Sequence, residues 1–333
     1  MSYQETDVID FTFDKSTLKV GIKTYSSKNL LELANENVHF YNCYKELLQN
    51  DYMLYFHTKE VSYFSKRTNF DHIFKRNDLY KAGDLYYTLT PPSGLKINDL
   101  SPKKLLVIFS SMPDVKERVD ALVTNRVFFK NFPDVTRSLV KNVWIMRIMD
   151  FNLSSGSHYV NTINYPTMED DVQQSIVDVI DKLSIEKEDV VLYGGSKGGT
   201  GALLHSARGN YQSVSVDPII SAEEYNKMSD MHFIKGLRTE DLTTKINQYL
   251  QLHKDNKQKH IICCPAVKFN YNKVQELMGI GSDINVIELE DEAIRNHADI
   301  SKNCIPEQLV IMNSLFMKNT NEGMMNNEKE INN

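Results

Sequence analysis

The sequence predicts an α/β fold: a mostly parallel sheet with helices on both faces, preceded by a smaller mixed N-terminal region. Three observations carry this. Short runs that are apolar throughout recur at Leu105–Phe109, Val143–Met149, Val190–Tyr193, Val214–Val216, His260–Cys264 and Ile284–Leu289. Strands with no polar alternation are buried on both faces, as in a covered parallel sheet. Longer segments separate them, several with helical periodicity, which is the alternation of a strand–helix–strand domain. The cluster Pro91-Pro92-Ser93-Gly94 breaks the chain ahead of this regular part.

The elements follow in order. Residues 1 to 95 form an aromatic-rich α+β region, where Leu30, Leu31, Leu33, Ala34, Val38, Tyr41, Tyr44 and Leu47 lie near one helical stripe over Asn29–Leu48. Strand-like pieces follow at Tyr52–His57 and Leu85–Leu89. Residues 96 to 318 form the regular domain. Its clearest helix is Met168–Leu183, with Val172, Ile176, Val179, Ile180 and Leu183 on one face and Thr167 as the expected N-cap. Residues 319 to 333 are rich in Asn and Glu and are expected to be disordered.

Composition narrows the function classes. Hydrophobic residues make up 41% and charged residues 25% of 333, enough for a full core. The net charge of −6 is spread without basic blocks, so no nucleic-acid footprint is expected. Cys43, Cys263, Cys264 and Cys304 show no metal-binding spacing, and are expected to be buried reduced thiols. The opening residues MSYQETDVID lack the basic and apolar regions of a secretory signal, and no apolar run is long enough to span a membrane. A cytoplasmic location is the expectation.

The chemistry is concentrated after the third regular strand. Val190-Val191-Leu192-Tyr193 runs into Gly194-Gly195-Ser196-Lys197-Gly198, and helix-prone Ala202-Leu203-Leu204 follows shortly. A GxSxG motif between strand and helix is the nucleophile elbow of the α/β-hydrolase fold. Glycines two positions either side of the serine remove side chains that would collide in the strained turn. Ser196 is therefore the expected nucleophile, and the Lys197 amide the first oxyanion donor. A phosphate loop would need lysine directly after the last glycine, and here Gly199 is followed by Thr200.

In this fold the chain order is nucleophile, acid, histidine. His205 sits on the elbow helix, over two turns from Ser196, and cannot reach back. His232 and His253 fall in helical or connecting segments, and His260 begins a strand at the wrong end. His297 lies after the last strand and before a closing helix at Pro306–Met317, where the general base belongs. The acid is less determined. The loop after His260–Cys264 carries no carboxylate, so Asp217, ending the preceding strand, is the candidate; Asn270 or Asn272 could orient the imidazole as neutral partners, and Asp291 and Glu292 are outlying alternatives. The second oxyanion amide is assigned to Ser111, after the first regular strand. Asp150, Ser155 and His158 follow the next strand and are expected at the same mouth as substrate-binding groups.

The run Leu105–Pro218 resembles the XcbB/CpsF-type capsular polysaccharide biosynthesis proteins of bacteria. The resemblance is carried by LLVIFSSM, by MRIMDF with GSHYV, and by YGGSKGGTGAL with its later VDP. The N-terminal segment YKELLQNDYMLYFHTKEVSYFSKR is similar to that family as well. The elbow also looks like that of acyl-CoA thioesterase-type hydrolases, and the layout is similar to the accessory Sec protein that O-acetylates Ser-rich adhesins. The resemblance implies work on a capsule or related surface glycan, with a glycan or glycan precursor as substrate and capsule-synthesis proteins as partners. No resident cofactor is expected; acyl-CoA or another acyl donor would enter as co-substrate. Two readings follow: a serine acyl enzyme (O-acyltransferase or esterase), or a hydrolase-like assembly factor without catalysis. The missing carboxylate after Cys264 favours the second, and the intact elbow with His297 favours the first.

Overall fold

The computed structural model describes residues 2–227, 235–253, 257–278 and 284–317. The expected tail at 319–333 and the candidate His232 lie outside them. Twelve strands occur among the described residues: β1 Tyr3–Asp7, β2 Lys19–Lys23, β3 Tyr52–Thr58, β4 Val61–Lys66, β5 Leu79–Ala82, β6 Leu85–Thr90, β7 Lys104–Phe109, β8 Val143–Ile148, β9 Val190–Gly195, β10 Gln212–Val216, β11 Lys259–Cys263 and β12 Ile284–Glu288.

They form two sheets. The larger has eight strands in the order β12-β11-β10-β9-β7-β8-β6-β5. From β8 to β12 its neighbours pair in parallel, and β6 and β5 extend it in antiparallel fashion. Residues that are apolar throughout fill its centre: β7, β9 and β10 are buried along their whole length. The edge strand β12 is only partly buried, in keeping with its mixed sequence. Two of the eight strands, β5 and β6, come from before the Pro91-Pro92 break. The smaller sheet, β1-β2-β4-β3, is N-terminal.

Alternation along each central strand sends side chains to two cores. On one face Leu105, Val107, Phe109 and Leu192 pack against Val172, Ile176 and Val179 of the helix Met168–Leu183. On the other, Leu106, Ile108, Val191 and Tyr193 pack against Met312, Leu315 and Phe316 of the helix 305–317. Each such fully buried side chain contributes about 1.5–3 kcal/mol from apolar area removed from water. The four cysteines are free and buried.

Two local expectations need correction. Thr167 makes no side-chain capping bond to the helix it precedes; its acidic first turn, Glu169, Asp170 and Asp171, favours that end instead. The stripe over Asn29–Leu48 is two helices, Leu30–Ala34 and Val38–Gln49. The intervening Asn35-Glu36-Asn37 stops one and starts the other, because the Asn37 side chain accepts from the His39 N–H.

The small sheet is fastened to the loop that follows β8. Tyr44 donates to Ser154 Oγ at 3.0 Å, and fully buried Arg126 donates to the carbonyls of both Ser154 (2.9 Å) and Leu54 on β3 (2.6 Å). On the far side of that loop is the elbow.

Candidate active site

Ser196 sits between β9 and the helix Lys197–Gly209 with φ 55° and ψ −121°, a conformation few side-chain-bearing residues adopt. The flanking glycines explain how the turn closes. A Cβ on Gly194 would stand 2.1 Å from the Gly198 carbonyl oxygen, and one on Gly198 would stand 2.2 Å from that of Phe109. Both obstacles are backbone, which has nowhere to move. The Ser196 N–H donates to the Val216 carbonyl at 2.8 Å, pinning the elbow to the end of β10.

The residue after Val216 is Asp217, so this bond also fixes the elbow against the acid. Asp217 is 1% exposed and adopts φ 42°, a second left-handed position at the same end of the sheet. His297 begins the helix His297–Asn303, whose cap Asn296 and Asp299 form a reciprocal capping box. That cap sets where the imidazole leaves the backbone. Its Nε2 lies 2.7 Å from Ser196 Oγ, and its Nδ1 lies 2.5 Å from Asp217 Oδ2. The three groups, separated by up to 101 positions in sequence, thus form one hydrogen-bonded line.

The tautomer follows from the partners. An ionised carboxylate only accepts, so Nδ1 carries the proton and Nε2 is left to accept from the serine hydroxyl. Asn270 Nδ2 lies 3.0 Å from both Asp217 Oδ2 and His297 Nδ1. With Nδ1 protonated only the carboxylate can accept from it, so Asn270 steadies Asp217. Asp217 Oδ1 is buried and has no hydrogen-bond partner among the described residues. Little water or protein therefore shields the carboxylate from a positive charge forming on the imidazole.

The structure brings Ser196, His297 and Asp217 together, with Asn270 beside them. Asn272, Asp291 and Glu292 are exposed; the Asp291 carboxylate accepts from the Ala293 N–H in its own turn. His205 is stacked on the Phe109 ring and bonded to the Tyr159 carbonyl at 2.9 Å, where burial pushes its pKa down to about 4.

The two residues expected on the oxyanion side are placed differently. Lys197 opens its helix, so its N–H has no intrahelical acceptor and faces the elbow end. The Ser111 N–H is already given to Asn131 Oδ1 at 2.9 Å, so it is not open to an oxyanion as expected. Ser111 instead braces the elbow: its Oγ donates to the Gly195 carbonyl at 2.8 Å, and Asn131 Nδ2 donates to that Oγ in turn. Asn131 had no sequence signal, since it lies in an irregular stretch with no motif or periodicity.

Asp150, Ser155 and His158, expected at the mouth, are no more than 1% exposed. Asp150 and Ser155 hold the other end of Lys197. Its Nζ donates to the Ser155 carbonyl at 2.8 Å and pairs with Asp150 Oδ2 at 3.4 Å, both side chains fully buried. Asp150 also accepts the N–H groups of Ser157 and His158, each at 2.9 Å. Burial lowers the Lys197 pKa, partly offset by the Asp150 charge. The loop that the N-terminal sheet buttresses thus grips the lysine next to Ser196.

Among the described residues no group of three or more His, Cys, Asp or Glu could hold a metal ion, and no helix is long and apolar enough to cross a membrane. No family profile matches the chain, and no curated protein sequence does. Solved structures do. The capsule O-acetyltransferase of Neisseria meningitidis serogroup A is 15% identical with a TM-score of 0.50, covering 70% of this chain and 93% of its own. A ferulic acid esterase is 11% identical with a TM-score of 0.48, over 72% and 97%. A fluorophosphonate-binding serine hydrolase of Staphylococcus aureus is 14% identical with a TM-score of 0.45, over 70% and 96%. The first of these likenesses, with the strand order above, establishes an α/β-hydrolase-like fold carrying a smaller N-terminal sheet.

Proposed function

We propose that this protein is a serine-nucleophile acyl enzyme, an O-acyltransferase or esterase, acting in capsular or surface polysaccharide biosynthesis in the cytoplasm. The observation that carries it is the continuous line from Ser196 Oγ through the His297 imidazole to the Asp217 carboxylate. Fold likeness alone would not, since one fold hosts many activities. The capsule reading rests on the resemblance to XcbB/CpsF-type proteins; the N. meningitidis neighbour, a capsule O-acetyltransferase by description, agrees with it.

Ser196 Oγ attacks the carbonyl carbon of an ester or thioester while its proton passes to His297 Nε2. Asp217 holds the tautomer and stabilises the imidazolium. Negative charge on the tetrahedral oxygen is met by the Lys197 N–H at the helix N-terminus. His297 returns its proton to the departing alcohol or thiol, leaving an acyl-serine. A sugar hydroxyl (transfer) or water (hydrolysis) then gives its proton to His297 and takes the acyl group, restoring Ser196. Acyl-CoA or a related thioester is the proposed donor and enters as co-substrate. The Ser–His–Asp line supports this reading over the non-catalytic assembly factor that the bare loop after Cys264 favours.

The test is incubation with acetyl-CoA, following free thiol and the intact mass of the protein. The expected results are thiol release and an acetyl adduct on the Ser196 peptide, both lost in Ser196→Ala. Thiol release that persists in Ser196→Ala would overturn the assignment.

A further inference from the structure

A polar cavity opens beside β6 and β8 of the large sheet. It has a volume of about 160 Å³ and is lined by Arg147, Lys130, Arg76, Asp78, Thr88 and Phe128 among others. Arg76 is neutralised by Asp78 through two hydrogen bonds. Arg147 and Lys130 have no such partner: among the described residues no carboxylate lies within salt-bridge distance of either. Arg147 is 8% exposed, and its Nη1 and Nη2 donate to the carbonyls of Asn131 (2.5 Å) and Phe132 (2.9 Å). These bonds aim the guanidinium and leave the remaining N–H donors of the fork uncommitted. Thr88 lies opposite Arg147 in the β6–β8 ladder, adding a hydroxyl to the same wall.

A buried cation without a counter-charge is costly in a structure unless a ligand supplies one. That is more pointed in a chain of net charge −6, whose overall field repels anions. Burial has also lowered the Arg147 pKa to about 10, with no carboxylate acting to raise it. Arginine in this setting suits phosphate, which its planar fork can contact twice. The pocket is tied to the nucleophile as well. Asn131, whose carbonyl holds Arg147, holds Ser111 through its side chain, and Ser111 braces Gly195 beside Ser196.

Building on the acyl-enzyme reading, we propose that the Arg147–Lys130 pocket binds a phosphate or pyrophosphate group of a reactant. The group belongs either to a nucleotide-linked thioester donor or to a nucleotide-activated sugar acceptor.

Calorimetric titration of the full chain with inorganic pyrophosphate, CoA and UDP-glucose at one ionic strength tests this. Pyrophosphate should bind, and Lys130→Ala should weaken it roughly tenfold, the loss of one charge-assisted contact. Lys130→Glu should weaken it further, as should Arg147→Gln if circular dichroism shows that variant folded. Tighter binding of CoA than of pyrophosphate assigns the pocket to the donor; tighter binding of UDP-glucose assigns it to the acceptor. If none of the three probes binds, or if Lys130→Glu binds them as wild type does, the proposal is wrong. Fluorophosphonate labelling of Ser196 in the same samples separates the two ideas. Labelling without phosphate binding sinks the pocket alone, and binding without labelling sinks the acyl enzyme alone.

Discussion

Replacing Lys197 by methionine keeps most of the side chain's length and the backbone N–H beside Ser196, but removes the ammonium group. In the wild type both Lys197 and Asp150 are fully buried. The variant leaves the Asp150 carboxylate with its two backbone N–H donors, a long contact from the Ser157 hydroxyl and the charge of buried Arg238, but without the cation that pairs with it directly. Removing one partner of a buried pair costs about 3–5 kcal/mol, because the other is stranded in low dielectric. Unfolding entropy for a chain of this size is roughly 0.7 kcal/mol per kelvin, so Tm should fall by about 4–7 °C. Differential scanning calorimetry reads this directly. Asp150→Asn should cost a similar amount alone, and the double variant should cost less than the two together by over ~1 kcal/mol, as contacting residues do. A Lys197→Met protein melting within a degree of wild type would refute the reasoning, as would strictly additive losses.

Other outcomes follow from the same geometry. Asp217→Asn should leave the fold intact yet lower turnover by about 10⁴-fold, since an amide in that place favours the wrong imidazole tautomer; turnover within tenfold of wild type would remove Asp217 from the site. Gly198→Ala places a methyl 2.2 Å from the Phe109 carbonyl oxygen, so soluble, active Gly198→Ala protein would show that the elbow is looser than described. His205 is charged less readily when folded, its pKa lowered to about 4 by burial. The unfolded chain therefore binds the extra proton first, and stability should fall as pH drops from about 6.5 to 4, by roughly 3 kcal/mol from this residue. Denaturant titrations of wild type and His205→Gln should show the variant with the shallower slope over that window; equal slopes would contradict it.

Much of the fold was legible because the central strands are apolar on both sides, a signal that survives without neighbours. Val190–Tyr193 and Val143–Met149 announce themselves in that way. The N-terminal strands were harder to read, since Tyr3–Asp7 in the small sheet and Leu79–Ala82 at the edge of the large one mix polar and apolar residues and acquire strand character only by pairing. At the site, Ser196 was readable from its glycines and His297 from chain order. Asp217 needed the structure to place it against His297, because an Asp-Pro step at a strand end has the same local sequence as an ordinary turn. Position after a strand was a poor guide for Asp150, Ser155 and His158. The loop there turns inward, drawn by Lys197, and polar residues that pair with each other can be buried as readily as apolar ones. For Ser111 the competing acceptor, Asn131, lies 20 positions away and could not be inferred from spacing.

Whether the hydroxyl at position 196 is a working nucleophile is measured most directly by reaction with a fluorophosphonate probe. Wild type should be labelled on the peptide containing Ser196, Ser196→Ala should not be labelled, and His297→Ala should react far more slowly. Absence of labelling in wild type, or labelling that persists in Ser196→Ala, would contradict the account.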